Sequence, residues 1–189
     1  MPPGHTGRVA DRLPPGTFVV VSGPAGSGKT TLARAIAPAL GLPLIAKDTI
    51  KEALMSVLPV PDVPASRLIG AASVQALLAV AAESGGAVLE SVWHRRRAVD
   101  DLRRLPGPVI EVFCRCDPSV AAERYARRAN SRAAGHFDAD RTLDDLWNDE
   151  VTRPVAGGWP VIEADTGRPV DVEPLVDGIR AAASSRRPA

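Results

Sequence analysis

The residues with the most recognisable chemistry form a short run, G-P-A-G-S-G-K-T, from Gly23 to Thr30. The run fits the pattern G-x-x-x-x-G-K-[ST], whose glycines let the backbone wrap around phosphate groups and turn its N–H groups inward. Lys29 would reach the β- and γ-phosphates, and the Thr30 hydroxyl would ligate Mg²⁺. A helix that begins at the loop would add the positive end of its dipole. The sequence therefore predicts a site for ATP and Mg²⁺ formed by Gly23, Ala25, Gly26, Ser27, Gly28, Lys29, Thr30 and Thr31.

A candidate base, Asp48, follows the second predicted strand. The carboxyl ends of parallel strands share one rim of the sheet, so Asp48 should lie near the phosphate loop and accept the proton of an attacking hydroxyl. Lys51, one helical turn further on the same face, would help hold the substrate or the transferring phosphoryl group. The alternative for Asp48 is an ordinary helix N-cap, and the two roles are compatible.

An arginine-rich stretch places Arg124, Arg128 and Arg132 at four-residue spacing, which puts them on one face of a helix. Gly-His-Phe at 135–137 follows, and together these residues predict a lid at about 124–142. Guanidinium groups of such a lid can stack on adenine and neutralise charge on a transferring phosphoryl group. We assign Arg124 and Arg128 to nucleotide binding, and Arg128 and Arg132 to catalysis. The alternative is a solvated basic face.

Further candidates for substrate binding follow the third predicted strand. Glu90 ends that strand and would order the Mg²⁺ shell or hold a substrate hydroxyl. Trp93 and the run Arg95–Arg97 come next, and they would recognise an anionic or sugar-like acceptor. The alternative is a capped surface helix with a packed tryptophan. Trp147 and Trp159 are expected to be packing residues.

The elements that would position these residues alternate between strand and helix. Strands are expected at 17–21, 44–46, 87–90, 108–114 and 161–163, and helices at 29–40, 48–57, 94–104, from 118 onward and at 172–182. The apolar segment Leu68–Ala82 is predicted to be a buried helix, because it falls short of the roughly 20 residues that span a bilayer. Alternation of this kind predicts a parallel sheet covered by helices on both faces.

Length and charge restrict the classes of partner. A chain of 189 residues predicts one domain at 17–182, with a flexible lead at 1–16 and a flexible tail at 183–189. A net charge of +1 makes nucleic acid or an anionic membrane an unexpected partner. The N-terminus lacks the features of a signal peptide, so we expect a cytoplasmic protein, monomeric or homodimeric. Cys114 and Cys116 are expected to be core thiols.

Together these motifs resemble the small P-loop kinases, the group that includes gluconate kinase, chloramphenicol phosphotransferase, the zeta-toxin kinases and the kinase domain of polynucleotide kinase. The resemblance rests on the loop at 23–30, A-K-D-T-I-K-E at 46–52, C-R-C-D-P-S-V-A-A-E-R-Y-A-R-R at 114–128 and the G-H-F lid. It covers most of residues 17–182. It implies a nucleotide-kinase-like α/β/α fold, a five-stranded parallel sheet in the order 2-3-1-4-5, and Mg-ATP on the loop.

The resemblance also implies site residues. Asp48 matches the catalytic base, and Lys51 stands where polynucleotide kinase has an arginine. Thr166 and Arg168 follow the last strand, where relatives pack the adenine. The chain departs from gluconate kinases at 143–146, where L-D-D-L replaces the expected S-Q pair.

The leading functional hypothesis is transfer of the ATP γ-phosphoryl group to a hydroxyl of a sugar, sugar acid, antibiotic or nucleotide-like metabolite. One alternative is a nucleoside monophosphate kinase, which would need an arginine pair for the acceptor phosphate, drawn from residues 95–97. Another is a nucleotide-binding regulatory module that hydrolyses ATP slowly. A guanine-reading N-K-x-D motif and a D-x-x-G switch motif are both absent, which argues against a GTPase switch.

Overall fold

Short runs of β-branched and apolar residues alternate with helices through the computed structural model, which describes residues 13–129, 136–137 and 142–185. The strands are β1 (Phe18–Ser22), β2 (Leu44–Ala46), β3 (Ala87–Glu90), β4 (Val109–Arg115) and β5 (Val161–Asp165). The helices are α1 (Lys29–Leu40), α2 (Lys47–Met55), α3 (Val63–Glu83), α4 (Arg95–Arg103), α5 (Pro118–Ala129), α6 (Leu143–Trp147) and α7 (Val172–Ser184).

The five strands form one parallel sheet in the order β2-β3-β1-β4-β5, which confirms the predicted topology. Val21 of β1 pairs with Glu90 of β3, and Ala46 of β2 pairs with the same Glu90. The carboxyl ends of these three strands are therefore level. The loops that follow them meet at one rim of the sheet, where ligands of parallel sheets bind.

The core lies on both faces of the sheet because every residue of β1 is buried. Alternate residues of a strand point to opposite faces. Val19 and Val21 pack with residues of α1 and α7, whereas Phe18 and Val20 pack with residues of α3 and α4. The result is the predicted three-layer arrangement.

The helix ends agree with the predictions in α1 and differ in α2 and α7. α1 has the predicted bounds and ends at Gly41, whose φ of 68° suits the left-handed C-cap. α2 begins one residue earlier than predicted, and Ala46 is its N-cap. The N-cap alternative for Asp48 is therefore wrong, since this residue lies inside the first turn. α7 continues to Ser184, two residues beyond the predicted end.

The apolar segment predicted as a buried helix is α3, and it is buried along one face only. Leu68 and Val80 are 72% and 55% exposed. By length and composition this helix would be able to cross a membrane, a criterion that core helices of globular proteins also meet. The face that packs on the rest of the protein consists of Ser66, Ile69, Ser73, Leu77 and Ala81.

A fully buried carboxylate, Glu111 on β4, joins the sheet to the chain that precedes β5. Its Oε1 accepts hydrogen bonds from Ser22 Oγ (2.6 Å) and the Val155 N–H (2.7 Å). Its Oε2 accepts them from the Ala156 N–H (2.9 Å) and Trp159 Nε1 (3.1 Å). Ala156 has a φ of 50°, a backbone conformation that is unfavourable for alanine. The carboxylate therefore stabilises a strained turn and satisfies four donors, three of them in buried hydrogen bonds.

Replacing Glu111 by glutamine should lower the free energy of unfolding by about 2–4 kcal/mol, because an amide NH₂ would face two buried donors in place of an acceptor oxygen. Denaturant titration followed by far-UV circular dichroism measures the change. Glu163→Gln is the matched control, since this side chain on β5 is 58% exposed and lies 3.8 Å from Arg115. It should change the free energy by no more than about 0.5 kcal/mol. Equal effects of the two substitutions would show that the Glu111 network contributes nothing.

Candidate functional site

The loop between β1 and α1 has a backbone shape that favours glycine. Gly23 has a φ of 132°, and a Cβ there would lie 2.8 Å from the carbonyl oxygen of Cys114. Gly28 is the N-cap of α1 with a φ of 89°, again in the left-handed region. The loop therefore curls tightly against β4 and leads directly into a helix N-terminus, as a phosphate cradle requires.

Lys29 is the buried cation of this loop. Its side chain is almost fully buried, and its Nζ donates a hydrogen bond to the carbonyl oxygen of Pro24 at 2.6 Å. Burial lowers the pKa of the ammonium group, and the nearby carboxylate of Glu90 opposes that shift. An ammonium group that has lost its water is a strong partner for phosphate oxygens.

Glu90 is the buried anion of the site. Burial raises the pKa of its carboxyl group, while the charge of Lys29 and a hydrogen bond from the Thr30 side chain lower it. The Thr30 hydroxyl and the Glu90 carboxylate are thus in contact at the start of α1. Oxygen atoms of this kind are the ligands that Mg²⁺ prefers when phosphates complete its shell.

The Ser27 hydroxyl is a further feature of the loop that fits bound Mg-ATP. The hydroxyl Oγ of Ser27 is buried and, among the described residues, has no hydrogen-bond partner. Buried polar atoms in native proteins are normally satisfied, so an orphaned hydroxyl in a cradle of this shape indicates a ligand that supplies the missing acceptor. Phosphate oxygens next to the loop would do so.

One cavity of about 670 Å³ adjoins the loop and collects most of the predicted site residues. Asp48 lines it, with its Oδ1 at 3.0 Å from the Nζ of Lys47. Lys51 also lines it, and its buried Nζ donates to the Ser66 hydroxyl at 2.7 Å. The predicted residues in the cavity wall are Ala25, Gly26, Gly28, Lys29, Thr30, Thr31, Asp48, Lys51, Glu90, Trp93, Arg97, Arg124 and Arg128.

Two of the predicted lid arginines have different surroundings. Arg124 donates from Nη1 to the carbonyl oxygen of Thr166 (2.8 Å) and from Nη2 to that of Gly167 (3.1 Å). Its guanidinium group therefore joins α5 to the turn after β5, beside Gly28. Arg128 lies in the cavity wall, close enough to lower the pKa of both Lys29 and Glu90. Arg132 lies outside the described residues, as does much of the predicted lid.

The two residues predicted to pack the adenine, Thr166 and Arg168, lie in different surroundings in the structure. Thr166 is buried next to the loop, where a Cβ added at Gly28 would lie 3.6 Å from the Thr166 Cβ. Arg168 is exposed, with its Nε at 3.8 Å from an oxygen of Asp165, and it is not among the residues of the cavity wall. Thr166 is therefore the better placed of the two.

The arginines that follow β3 also lie in different surroundings. Arg97 lies in the cavity wall. Arg96 is turned to the surface, with its Nε at 3.2 Å from Glu150. Of residues 95–97, the cavity wall includes Arg97 alone, so this run does not supply the arginine pair that a phosphate-bearing acceptor would need. Trp93 lies in the wall as well and is almost fully buried.

A contact that sequence analysis missed comes from α6. Trp147 was expected only to pack, and it does lie edge-on to Tyr125, with ring centroids 5.7 Å apart. Its Nε1 also donates to the carbonyl oxygen of Ala25 in the phosphate loop at 3.1 Å. The available signal was the T-x-x-D pattern from Thr142 to Asp145, which forms a capping box and starts this helix.

Two further contacts involve residues of the cavity wall. Asp145 of α6 lies 3.3 Å from Arg67 of α3. The Nε2 of His136, in the predicted lid, lies 3.1 Å from an oxygen of Glu52 on α2. Both pairs connect residues far apart in the sequence, so neither spacing nor composition pointed to them.

Comparison with known proteins agrees with this geometry. A family model described as an AAA domain matches residues 18–149, whereas no curated protein sequence matches the chain. A Chloroflexus aurantiacus protein described as a candidate kinase is 29% identical, with a TM-score of 0.78 over 88% of this chain and 97% of that one. A gluconokinase from Sinorhizobium meliloti is 25% identical, with a TM-score of 0.59 over 92% and 94% of the two chains.

Shikimate kinase from Acinetobacter baumannii, at 16% identity, shares the fold with a TM-score of 0.59 over 94% of this chain and 97% of that one. The family model spans the phosphate loop, Asp48 and the arginines of α5. The chain therefore belongs to this AAA-domain family and has the fold of the small P-loop kinases.

Proposed function

We propose that the protein transfers the γ-phosphoryl group of ATP to a hydroxyl group of a small molecule. The observation that carries the proposal is the placement of Asp48 and Lys29 in the wall of one cavity. A volume of about 670 Å³ lies within the range of small-molecule sites. The gluconokinase, by its name, is a relative of the same class.

Each residue has a defined task in this reaction. Mg-ATP supplies the phosphoryl group and neutralises part of its charge. Lys29 and Arg128, both in the cavity wall, would stabilise the negative charge that builds up on the phosphoryl oxygens. Thr30 and Glu90 would hold the metal shell.

Asp48 would accept the proton of the attacking hydroxyl. Its side chain is 38% exposed, so an acceptor in the cavity can reach it, and its Oδ1 lies 3.0 Å from the Nζ of Lys47. Asp48 is the second residue of α2, so its carboxylate lies in the first turn of the helix rather than at its cap.

Lys29→Met and Asp48→Asn should fail in different ways. Lys29→Met should weaken ATP binding and lower kcat/KM by on the order of 10²-fold or more, because a preorganised phosphate donor is lost. Asp48→Asn should bind ATP as the unmodified protein does while kcat falls by about 10²–10⁴-fold, because only proton transfer is lost. Calorimetry with ATP and a coupled assay of ADP release over an acceptor panel separate the two effects.

Glu163→Gln is again the control and should retain full activity. Acceptor-stimulated turnover that survives Asp48→Asn would contradict the proposed base. ATP binding without stimulation by any acceptor would instead favour the slow regulatory ATPase.

The dependence of activity on pH should reflect the protonation of Glu90. Burial raises the pKa of this carboxyl group above the ordinary 4.5, so it takes up a proton at a higher pH than an exposed glutamate does. Protonation removes the charge that accepts the Thr30 hydrogen bond, so activity should fall as the pH drops through that raised pKa.

The Glu90→Gln variant should have a lower maximal kcat/KM. It should also lose the part of the fall in kcat/KM at low pH that is due to protonation of Glu90. Because ATP titrates too, kcat/KM against pH is compared between Glu90→Gln and the unmodified protein in the same buffers. Two acid limbs of the same shape and position would exclude an ionised Glu90 from the reaction.

A further inference from the structure

The cavity wall divides into two parts with different tasks. Residues of the phosphate loop and of α5 form the end that would hold ATP. The other end is formed by α2, by α3 and by the chain from Ser91 into α4. Asp48 lies between the two ends in the proposed reaction, so the second end is where the acceptor would bind. Its polar residues are Lys51, Ser66, Arg67, Gln75, Trp93, His94, Arg97 and Asp101.

The charge of the wall exceeds what the nucleotide needs. Among the described residues that line the cavity, seven are Lys or Arg and four are Asp or Glu, an excess of three positive charges with histidine taken as neutral. ATP with one Mg²⁺ carries roughly two negative charges. About one positive charge therefore remains, which a second ligand of single negative charge would balance.

The carboxylates at the acceptor end are already engaged by cations of the protein. Asp101 lies 3.5 Å from Arg104, and Asp145 lies 3.3 Å from Arg67. Asp145 also accepts the Thr142 N–H as part of the α6 capping box. These carboxylates are poor acceptors for further ligand hydroxyls, because each would have to exchange a charged partner for a neutral one.

Arg97 and Trp93 each contribute a donor to this part of the wall. Arg97 is an exposed residue whose guanidinium group makes no hydrogen bond or ion pair with the described residues. The indole Nε1 of Trp93 is buried and has no acceptor among the described residues. Both groups donate and cannot accept. Trp93 precedes α4 and Arg97 lies in its first turn. Because both groups are donors, a ligand atom that binds them must be an acceptor, such as an oxygen of an anion.

From these observations, and resting on the proposed function, we infer that the acceptor is a hydroxylated monoanion. Its hydroxyl faces Asp48 and its anionic group, a carboxylate or a sulfate monoester, binds Arg97, with the Trp93 N–H as a second donor. Arg97 is thus a specificity-determining residue that selects anionic over neutral polyols. A neutral sugar also offers acceptor oxygens to these donors, but it would leave the excess charge unbalanced.

The experiment uses matched pairs of polyhydroxy compounds with four to seven carbons, each monoanion beside its neutral counterpart: sugar acids beside alditols, and sugar sulfates beside the free sugars. Binding is measured by calorimetry with Mg²⁺ and AMPPNP present, and turnover by ADP release with Mg-ATP. At least one anion should bind and turn over at least about ten-fold better in kcat/KM than its neutral partner.

Arg97→Met should lower kcat/KM for that anion by about 10- to 100-fold, chiefly through KM, and should leave the neutral partner unchanged. Arg97→Lys should restore part of the loss. Trp93→Phe should lower kcat/KM for the anion by a smaller factor than Arg97→Met does. Arg96→Met is the control on the same helix turn, since this side chain is 90% exposed and pairs with Glu150. Arg96→Met should leave kcat/KM unchanged for both the anion and its neutral partner.

The outcomes separate this inference from the proposed function. A neutral compound that turns over as well as its anionic partner, or an equal loss for both in Arg97→Met, would overturn the inference and leave the kinase reaction standing. Failure of every anion to bind would overturn it too. An anion that binds through Arg97 but receives no phosphoryl group would keep the anion site and contradict the kinase reaction.

Discussion

The interaction on which the site depends is the pair of buried opposite charges, Lys29 and Glu90. Burial disfavours the charged form of each, and each favours the charge of the other. A buried pair of this kind adds little stability by itself, because desolvation offsets most of its attraction. What it provides is an ammonium group and a carboxylate held apart from water, at the position where phosphate and metal charges would be neutralised.

This pair explains why the order of the strands matters. Glu90 ends β3, which lies between β2 and β1, so it is level with Val21 on one side and Ala46 on the other. The phosphate loop follows one neighbour and Asp48 follows the other. A sheet with β1 beside β2 would separate Glu90 from one of its partners, and the proposed base would then have no buried carboxylate between it and the loop.

The parts predicted from sequence are those that short-range rules determine. The phosphate loop, the bounds of α1 and strands β2 and β3 follow from glycine spacing and apolar runs. The bond from Trp147 to Ala25 joins residues 122 positions apart, and the bond from Ser22 to Glu111 joins residues 89 apart. No local pattern encodes such contacts. The arginine run was ambiguous for the same reason, since only packing decides which of three adjacent side chains enters the cavity.

One stretch of chain outside the cavity, from Glu150 to Ala156, is hydrogen-bonded to elements at both ends of the cavity. The backbone N–H groups of Arg95 and Arg96, at the start of α4, donate to the carbonyl and carboxylate oxygens of Glu150. The same stretch of chain continues to the turn that Glu111 stabilises, and Glu111 also accepts the hydroxyl of Ser22, the last residue of β1 before the loop. The start of α4 is thus bonded to Glu150, and the strand that leads into the phosphate loop is bonded through Glu111 to the same stretch of chain, at Val155 and Ala156.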